Sequence, residues 1–370
     1  MLLTSVTFKG RNAIGDGYKD IVNTLSEQYA VAAVLPNAYS PEEFSEKIKL
    51  SFPDPFADCG KIRSAVRAIG FAWKLRNVVR EQNIRKVFLY FDADWLNLFL
   101  VLMFRGLPIE YYVFVHDPIL HSGEKLEFIL RRWLVARLLF SRARKLFVSF
   151  SQGKRDLVSR YAVDPERVSV VFLPELTCLQ FPELRDSEKK LGNYPFDLMF
   201  FGRLETYKGW RLLVDCLDLL KQKVGRDVTL LVIGRGTDTA EFKRAIAGCS
   251  TVRYIEDYIE NRQLAEYIIQ SRVIVLPYLD ATGTQTVQTA NYYNKPVVVS
   301  SAGCFSDYVI SGVNGVVVDD LTPEGLAEAI VRLLPESEYY ASIKRHVSSH
   351  FEETFRLNKI LVQLVTEMGL

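Results

Sequence analysis

Short runs rich in Val, Ile, Leu and Phe recur along this chain, each followed by a longer stretch of helical periodicity, and they constrain its fold more than any other feature. In the first half they are Leu2 to Phe8, Ala30 to Leu35, Lys86 to Phe91, Tyr111 to Val115, Lys145 to Phe150 and Val168 to Leu173. In the second half they are Phe196 to Phe201, Val228 to Ile233, Val252 to Ile255, Val273 to Leu276, Pro296 to Ser300 and Gly315 to Val318. These runs are nearly continuous and do not alternate apolar with polar residues, so the strands they predict are buried on both faces. Such strands belong to parallel sheets covered by helices. An alternation of strand and helix that runs through twice predicts two doubly wound α/β domains. The length of 370 residues fits two domains of ~150 to 200 residues each.

The boundaries follow from polarity. Residues 1–174 form the first predicted domain and 196–350 the second. Residues 175–195, with Pro182 and the charged run Glu183 to Lys190, read as a linker. Residues 351–370 read as a closing amphipathic helix, with Phe355, Leu357, Ile360, Leu361, Leu364 and Val365 at helical spacing. Hydrophobic residues at 49% and charged residues at 24% exclude extended disorder. The five cysteines are scattered and show no C-x-x-C spacing, which argues against a zinc site and a disulfide framework. Met1 to Phe8 lacks a basic leader and reads as a first strand. The apolar stretch Trp95 to Phe104 is shorter than the ~20 residues a membrane span needs. A cytoplasmic protein is the expectation.

In a pair of such domains, ligands lie outside the carboxyl ends of the strands. Directly after a predicted strand, Gly202-Arg203-Leu204-Glu205-Thr206-Tyr207-Lys208-Gly209-Trp210 opens the second domain. Gly202 permits a sharp turn there. Arg203 offers a bidentate fork and Lys208 a point charge, the combination that neutralises a departing diphosphate. An ordinary loop with solvated basic residues has the same composition, and both readings stand.

This segment resembles the G-R-x-x-x-x-K-G signature of the family-4 glycosyltransferases. The resemblance continues through Leu231 to Gly236 with its G-x-G, Val252 to Tyr267, Val273 to Pro277, Asn294 to Val298 and Gly303 to Gly315, in the family's order and spacing. It implies the GT-B fold: two Rossmann-like domains facing a cleft, with the C-terminal helix crossing back to the first. It implies a retaining transferase that takes a nucleotide sugar, a UDP- or GDP-sugar, and needs no other cofactor. Arg203 and Lys208 would then hold the donor diphosphate beside Gly202. The acceptor would be a saccharide or lipid-linked saccharide in polysaccharide or glycoconjugate biosynthesis.

Two glutamates eight positions apart, usual in the family, are replaced here by Ala281 and Thr289; Asp280 and Gln288 lie one residue earlier at the same spacing. The small hydroxylated loop Gly283-Thr284-Gln285-Thr286 ends at a predicted helix start, where backbone N–H groups favour phosphate. A Thr N-cap without a ligand is the alternative. The absent glutamates keep a non-catalytic, partner-binding subunit in view. A sugar-nucleotide epimerase or an inverting transferase on the same fold is a further rival.

In the first domain, His116-Asp117 ends a strand, where a His beside a carboxylate can polarise a hydroxyl. A structural hydrogen-bonder is the competing reading, and the resemblance favours a catalytic His116. Gly15 and Gly17 follow the first strand, where the family carries a donor-side glycine loop; a plain β-to-α turn is equally open. Asp92-Ala93-Asp94 has the manganese motif of the other large transferase fold. In this setting Asp94, with Asp117, reads as acceptor-side and no metal is expected. Finally, residues 61–86 and 128–145 are basic helical stretches interleaved with aromatics, suited to transient docking on an anionic membrane surface. Helices packed on a sheet with Arg stems along the edge would look the same. No nucleic-acid motif is present.

Overall fold

The structure is a computed structural model and describes residues 1–370 apart from 8–9, 57–60, 91–94, 120–125, 189–192 and 335–337. The chain divides into two compact units, Met1–Pro174 with Leu357–Leu370, and Glu175–Arg356. The first unit runs β1 (Leu2–Ser5), α1 (Ala13–Gln28), β2 (Val31–Leu35), β3 (Leu50–Pro53), α2 (Lys61–Glu81), β4 (Lys86–Leu89), α3 (Trp95–Met103), β5 (Glu110–Phe114), α4 (Leu126–Arg142), β6 (Ala143–Val148), α5 (Ser151–Tyr161) and β7 (Val168–Val170). The second runs α6 (Pro182–Glu188), β8 (Phe196–Phe201), α7 (Trp210–Asp215), α8 (Leu217–Val224), β9 (Leu230–Ile233), α9 (Thr239–Ala245), β10 (Val252–Ile255), α10 (Asn261–Ile269), β11 (Ser271–Leu276), α11 (Thr286–Tyr292), β12 (Val297–Ser300), α12 (Phe305–Tyr308), β13 (Gly315–Val318), α13 (Pro323–Val331) and α14 (Glu338–Thr354). The last helix, α15 (Leu357–Met368), belongs to the first unit.

Both sheets are parallel, ordered β3-β2-β1-β4-β5-β6-β7 and β10-β9-β8-β11-β12-β13. The strand order reverses between β1 and β4 in one and between β8 and β11 in the other. Loops leaving adjacent strands at such a point diverge and leave a crevice. Every predicted run contains a strand. The sequence reading missed β3, an edge strand in which only Phe52 is buried, so it shows no apolar run. Its Pro53 is tolerated because an edge position needs fewer donors.

In the first unit the two faces of the sheet bury separate cores. One face packs Ala72, Leu75 and Val79 of α2 with residues of α3 and α4. The other packs Tyr18, Ile21 and Leu25 of α1 with Leu357, Ile360, Leu361, Leu364 and Met368 of α15. The crossing helix is therefore part of the first unit's core. It starts later than 351, because Phe351 and Phe355 are fully buried in the second unit, where Phe351 meets Tyr292 and Phe355 stacks on Tyr308.

Residues 175–195, expected as a linker, count with the second unit. There Glu188 is wholly buried and pairs with Lys295 at 2.9 Å and with Lys344. Burial alone would raise the Glu188 carboxyl, but the two ammoniums hold it below the usual range. The polarity that reads as a solvated linker is in part an internal ion pair whose partners lie more than a hundred residues away.

Candidate anion-binding site

Two loops meet where the second sheet reverses, at the carboxyl ends of the paired strands β8 and β11. The first spans 202–209. Gly202, at φ 130°, turns the chain out of β8, and Thr206–Lys208 forms a single 3-10 turn. Gly209 has φ 68°, and a Cβ there would lie 1.8 Å from the Pro277 carbonyl oxygen. Only glycine lets this loop close on the end of β11. The Tyr207 carbonyl then accepts from the Leu279 N–H at 2.7 Å, which joins the loops through their backbones.

This closure places Lys208 Nζ 3.7 Å from the centroid of the buried Tyr278 ring. A cation over a ring face keeps part of its stabilisation without water. Burial pushes the ammonium down to about 8; Cys304 acts against that shift, Arg203 adds to it and Glu205 opposes it. Burial pushes the Cys304 thiol up to about 12, so it is neutral and leaves the lysine's charge uncancelled. Among the described residues no carboxylate lies within ion-pair distance of Lys208. Glu205, which bears on it, is bound to Arg203 (Nη2–Oε1 2.7 Å). Arg203 is itself exposed.

Residues not singled out from the sequence hold the first loop. Asp238 accepts from Thr206 Oγ1 at 2.7 Å and from Trp210 Nε1 at 3.0 Å, and Glu205 also accepts from Thr237. The available signal was Thr237-Asp238 directly after the G-x-G of β9, since an acid there can reach a neighbouring loop at the same sheet edge.

The second loop spans 277–286. Its hydroxylated part, 282–286, is half-buried, and Thr284 Oγ1 accepts from the Thr286 N–H at 3.3 Å. The N-cap of α11 is Gln285, whose side chain makes no capping bond. A threonine-capped helix start is thus not what forms. Gln288 departs from its expected donor contact: it is wholly buried within α11 and offers a ligand no surface. Thr289 donates its hydroxyl to the Gln285 carbonyl at 2.9 Å, Ala281 is buried and Asp280 is exposed. The structure therefore brings together Gly202, Arg203, Lys208 and the Gly283–Thr286 loop. This is a desolvated cation, an exposed guanidinium and hydroxyls at one strand edge, which suits a doubly charged phosphate group.

The corresponding place in the first unit is built differently. Asn12 caps α1, accepting from the Gly15 N–H at 2.8 Å, so Gly15 and Gly17 are buried helix residues and form no loop. A Cβ on Gly15 would lie 2.5 Å from Tyr39 Oη, which explains the glycine by packing. Tyr39 donates to the Asn12 carbonyl at 3.1 Å, and Arg11 pairs with Glu43. Tyr39 thus packs over Gly15, and Gly17 is buried further along the same helix. His116, just past β5, is buried, and its Nε2 lies 2.8 Å from the Tyr90 carbonyl oxygen between the rings of Tyr90 and Phe114. A carbonyl partner makes Nε2 the protonated nitrogen. Asp117 follows, half-buried. Asp92, Asp94, His121 and Glu124 lie outside the described residues. Among the described residues no three His, Cys, Asp or Glu side chains gather as metal ligands.

A family model described as "Glycosyl transferases group 1" matches residues 195–336, the part that holds both loops. A D-inositol 3-phosphate glycosyltransferase of Corynebacterium kroppenstedtii is 24% identical over 274 residues, covering 65% of this chain and 60% of that protein. The chain thus spans less than two thirds of the length of that curated relative. Among solved structures, Anabaena HepE in complex with UDP superposes with a TM-score of 0.75 at 14% identity, covering all of both chains. WaaG, a glycosyltransferase involved in lipopolysaccharide biosynthesis, superposes at 0.67 and 14% identity, covering all of both chains. At such identities the superpositions show the fold, two Rossmann-like α/β domains of the GT-B kind.

Proposed function

We propose that this GT-B chain acts as the family-4 glycosyltransferases it resembles do, moving a sugar from a nucleotide-sugar donor to an acceptor hydroxyl. The observation that carries this reading is Lys208: a desolvated cation without a carboxylate partner among the described residues, at the reversal of a parallel sheet, beside Arg203. A buried charge left unpaired is costly, and a ligand anion relieves that cost. The donor diphosphate lies across Arg203, Lys208 and the Gly283–Thr286 loop, and a UDP-sugar is favoured because HepE binds UDP. The acceptor, handled by the first unit with His116 and Asp117, is a saccharide or a lipid-linked saccharide. This agrees with a relative that acts on an inositol phosphate and a neighbour involved in lipopolysaccharide biosynthesis.

In this scheme the bond between the anomeric carbon and the donor's phosphate oxygen breaks, and the acceptor oxygen bonds to that carbon. The acceptor proton passes to the departing phosphate oxygen, whose growing negative charge Arg203 and Lys208 stabilise. Attack on the face the phosphate leaves gives retention, as the family resemblance implies. No metal is required, because the two cations supply the charge. The protein works in the cytoplasm, peripheral to the inner face of the membrane; among the described residues no helix is long and apolar enough to cross one.

The experiment is a screen of nucleotide sugars for released nucleotide, with and without saccharide acceptors, in EDTA. Release from one UDP- or GDP-sugar that persists in EDTA supports the reading. No release from any donor, together with no calorimetric binding of UDP, GDP or ADP, favours the second reading, a partner-binding subunit, which the Ala281 and Thr289 replacements motivate.

A further inference from the structure

Among the described residues, burial holds three lysines below their ordinary range: Lys208, Lys295 and Lys344. Two of them are committed within the protein. Lys295 is wholly buried, where its Nζ donates to the Ile269 carbonyl at 2.8 Å and pairs with Glu188 at 2.9 Å. Lys344 pairs with the same carboxylate and donates to the Asn294 carbonyl at 2.9 Å. Exposed lysines are held the other way: a hydrogen bond to Asp227 raises Lys221, and one to Glu256 raises Lys243. Lys208 differs from all of these. It is half-buried in a loop at the strand edge, its Nζ lies over the Tyr278 ring, and no described carboxylate pairs with it.

An amine is a nucleophile only in its neutral form. With burial pushing it down to about 8, roughly a tenth of Lys208 is neutral at pH 7, against about 0.04% of an ordinary lysine. The groups facing the amine are Arg203, Glu205, Cys304 and the rings of Tyr207 and Tyr278. Arg203 and Glu205 are bound to each other. Burial pushes the Cys304 thiol and the Tyr278 hydroxyl up, so neither brings a negative charge to the amine near neutrality. Beside it, the Arg203 guanidinium and the hydroxyls of the Gly283–Thr286 loop suit a phosphate, and a group joined to that phosphate arrives at the amine with it.

We propose that Lys208 is a modification site for acyl phosphates, which acylate its Nζ and switch the anion site off. Arg203 and the Gly283–Thr286 loop hold the phosphate half. The lone pair of the neutral amine attacks the acyl carbon, the bond from that carbon to the phosphate oxygen breaks, and the phosphate leaves with the electron pair. The amine proton passes to the departing oxygen, giving an amide and hydrogen phosphate, with no oxidant or further reactant. The amide is uncharged, so the site loses the cation that would hold a diphosphate. At subsaturating acyl phosphate the rate follows the neutral fraction of the free protein. The inference rests on the anion site of the proposed function, but acylation is read by mass and needs no nucleotide sugar, so the two can fail separately.

The test exposes the full chain to acetyl phosphate and follows each lysine by peptide mass spectrometry. At pH 7 Lys208 should be acetylated at least about tenfold faster than Lys47 or Lys221, and its rate should level off above pH 8 while theirs still climbs. UDP and inorganic pyrophosphate should protect Lys208 and leave Lys47 and Lys221 unprotected. Protection by pyrophosphate without protection by UDP supports this inference and removes the nucleotide-sugar reading. Arg203→Ala should cut the rate with acetyl phosphate about tenfold, yet keep the rate with acetic anhydride, which carries no phosphate, within about twofold of wild type. The acetylated protein should bind pyrophosphate at least about tenfold more weakly. Acetylation of Lys208 no faster than that of Lys47 and Lys221, no protection by pyrophosphate, or an Arg203→Ala protein that acetyl phosphate modifies at the wild-type rate would overturn the inference.

Discussion

In both sheets the strand order reverses beside the first strand, yet the residues gathered at the two reversals differ in charge and in packing. After β8, glycines draw two loops together and leave Lys208 over Tyr278 with its charge unbalanced. After β1, the start of α1 is closed: Asn12 takes the Gly15 N–H, Tyr39 fills the space over Gly15, and Arg11 is paired with Glu43. Topology supplies a crevice in each case, but only one is left chemically open among the described residues. A fold offers positions for a ligand, and side chains decide which position is used.

The comparison breaks most severely if the units do not behave independently. Removing Leu357–Leu370 takes Leu357, Ile360, Leu361, Leu364 and Met368 from the first unit's core. At ~2 kcal/mol per buried side chain the loss is roughly 10 kcal/mol, comparable to the whole stability of a domain. Hydrogen exchange should show the first unit unfolded while UDP still binds the second. Loss of UDP binding together with second-unit protection would contradict the division.

Within the second unit, Lys208→Met should lower kcat/KM for the donor by about 100-fold and Arg203→Ala by about tenfold, with circular dichroism unchanged. The larger effect belongs to Lys208 because its charge is desolvated. Near-normal kinetics in both variants would remove the anion site from the account.

A third effect follows from the depressed Lys208 ammonium. A bound diphosphate favours the protonated lysine, so binding takes up a proton above pH 8, and affinity falls as pH rises through that value. UDP should bind about tenfold more weakly at pH 9 than at pH 7, with buffer-dependent heats that report the uptake. Lys208→Met should be flat over the same range. An equally steep profile in the variant would assign the proton elsewhere.

The smallest effect separates the two glycine clusters. Gly15→Ala should destabilise the first unit by only about 1 kcal/mol, since the Tyr39 tip can shift, and leave UDP affinity unchanged. Weaker UDP binding in this variant would restore the donor role that the packing of Gly15 argues against.

Much of this was legible beforehand because the signals are local. Runs such as Phe196–Phe201 are buried along their whole length, and burial on both faces is written directly into an apolar run. Gly202, Arg203, Lys208 and Gly209 lie within eight consecutive residues, so one loop carries the chemistry. What escaped depends on partners distant in sequence. Tyr39 converts Gly15 from a loop residue into a packed helix residue. Lys295 and Lys344 turn Glu188 from a linker acid into a buried one. Asp238 reaches back to Thr206 and Trp210 across α7, α8 and β9. The burial of Gln288 was hidden for a different reason: a seven-residue helix shows too little periodicity to reveal its inner face.

The most direct test of the central claim is hydrogen exchange of the intact protein with and without saturating UDP. Binding at the reversal of the second sheet should slow exchange in residues 202–209 and 282–286, the loops that hold Lys208 and Thr284, and leave residues 10–17 unchanged. Protection centred on 10–17, or none in either second-unit loop while UDP is bound, would contradict it.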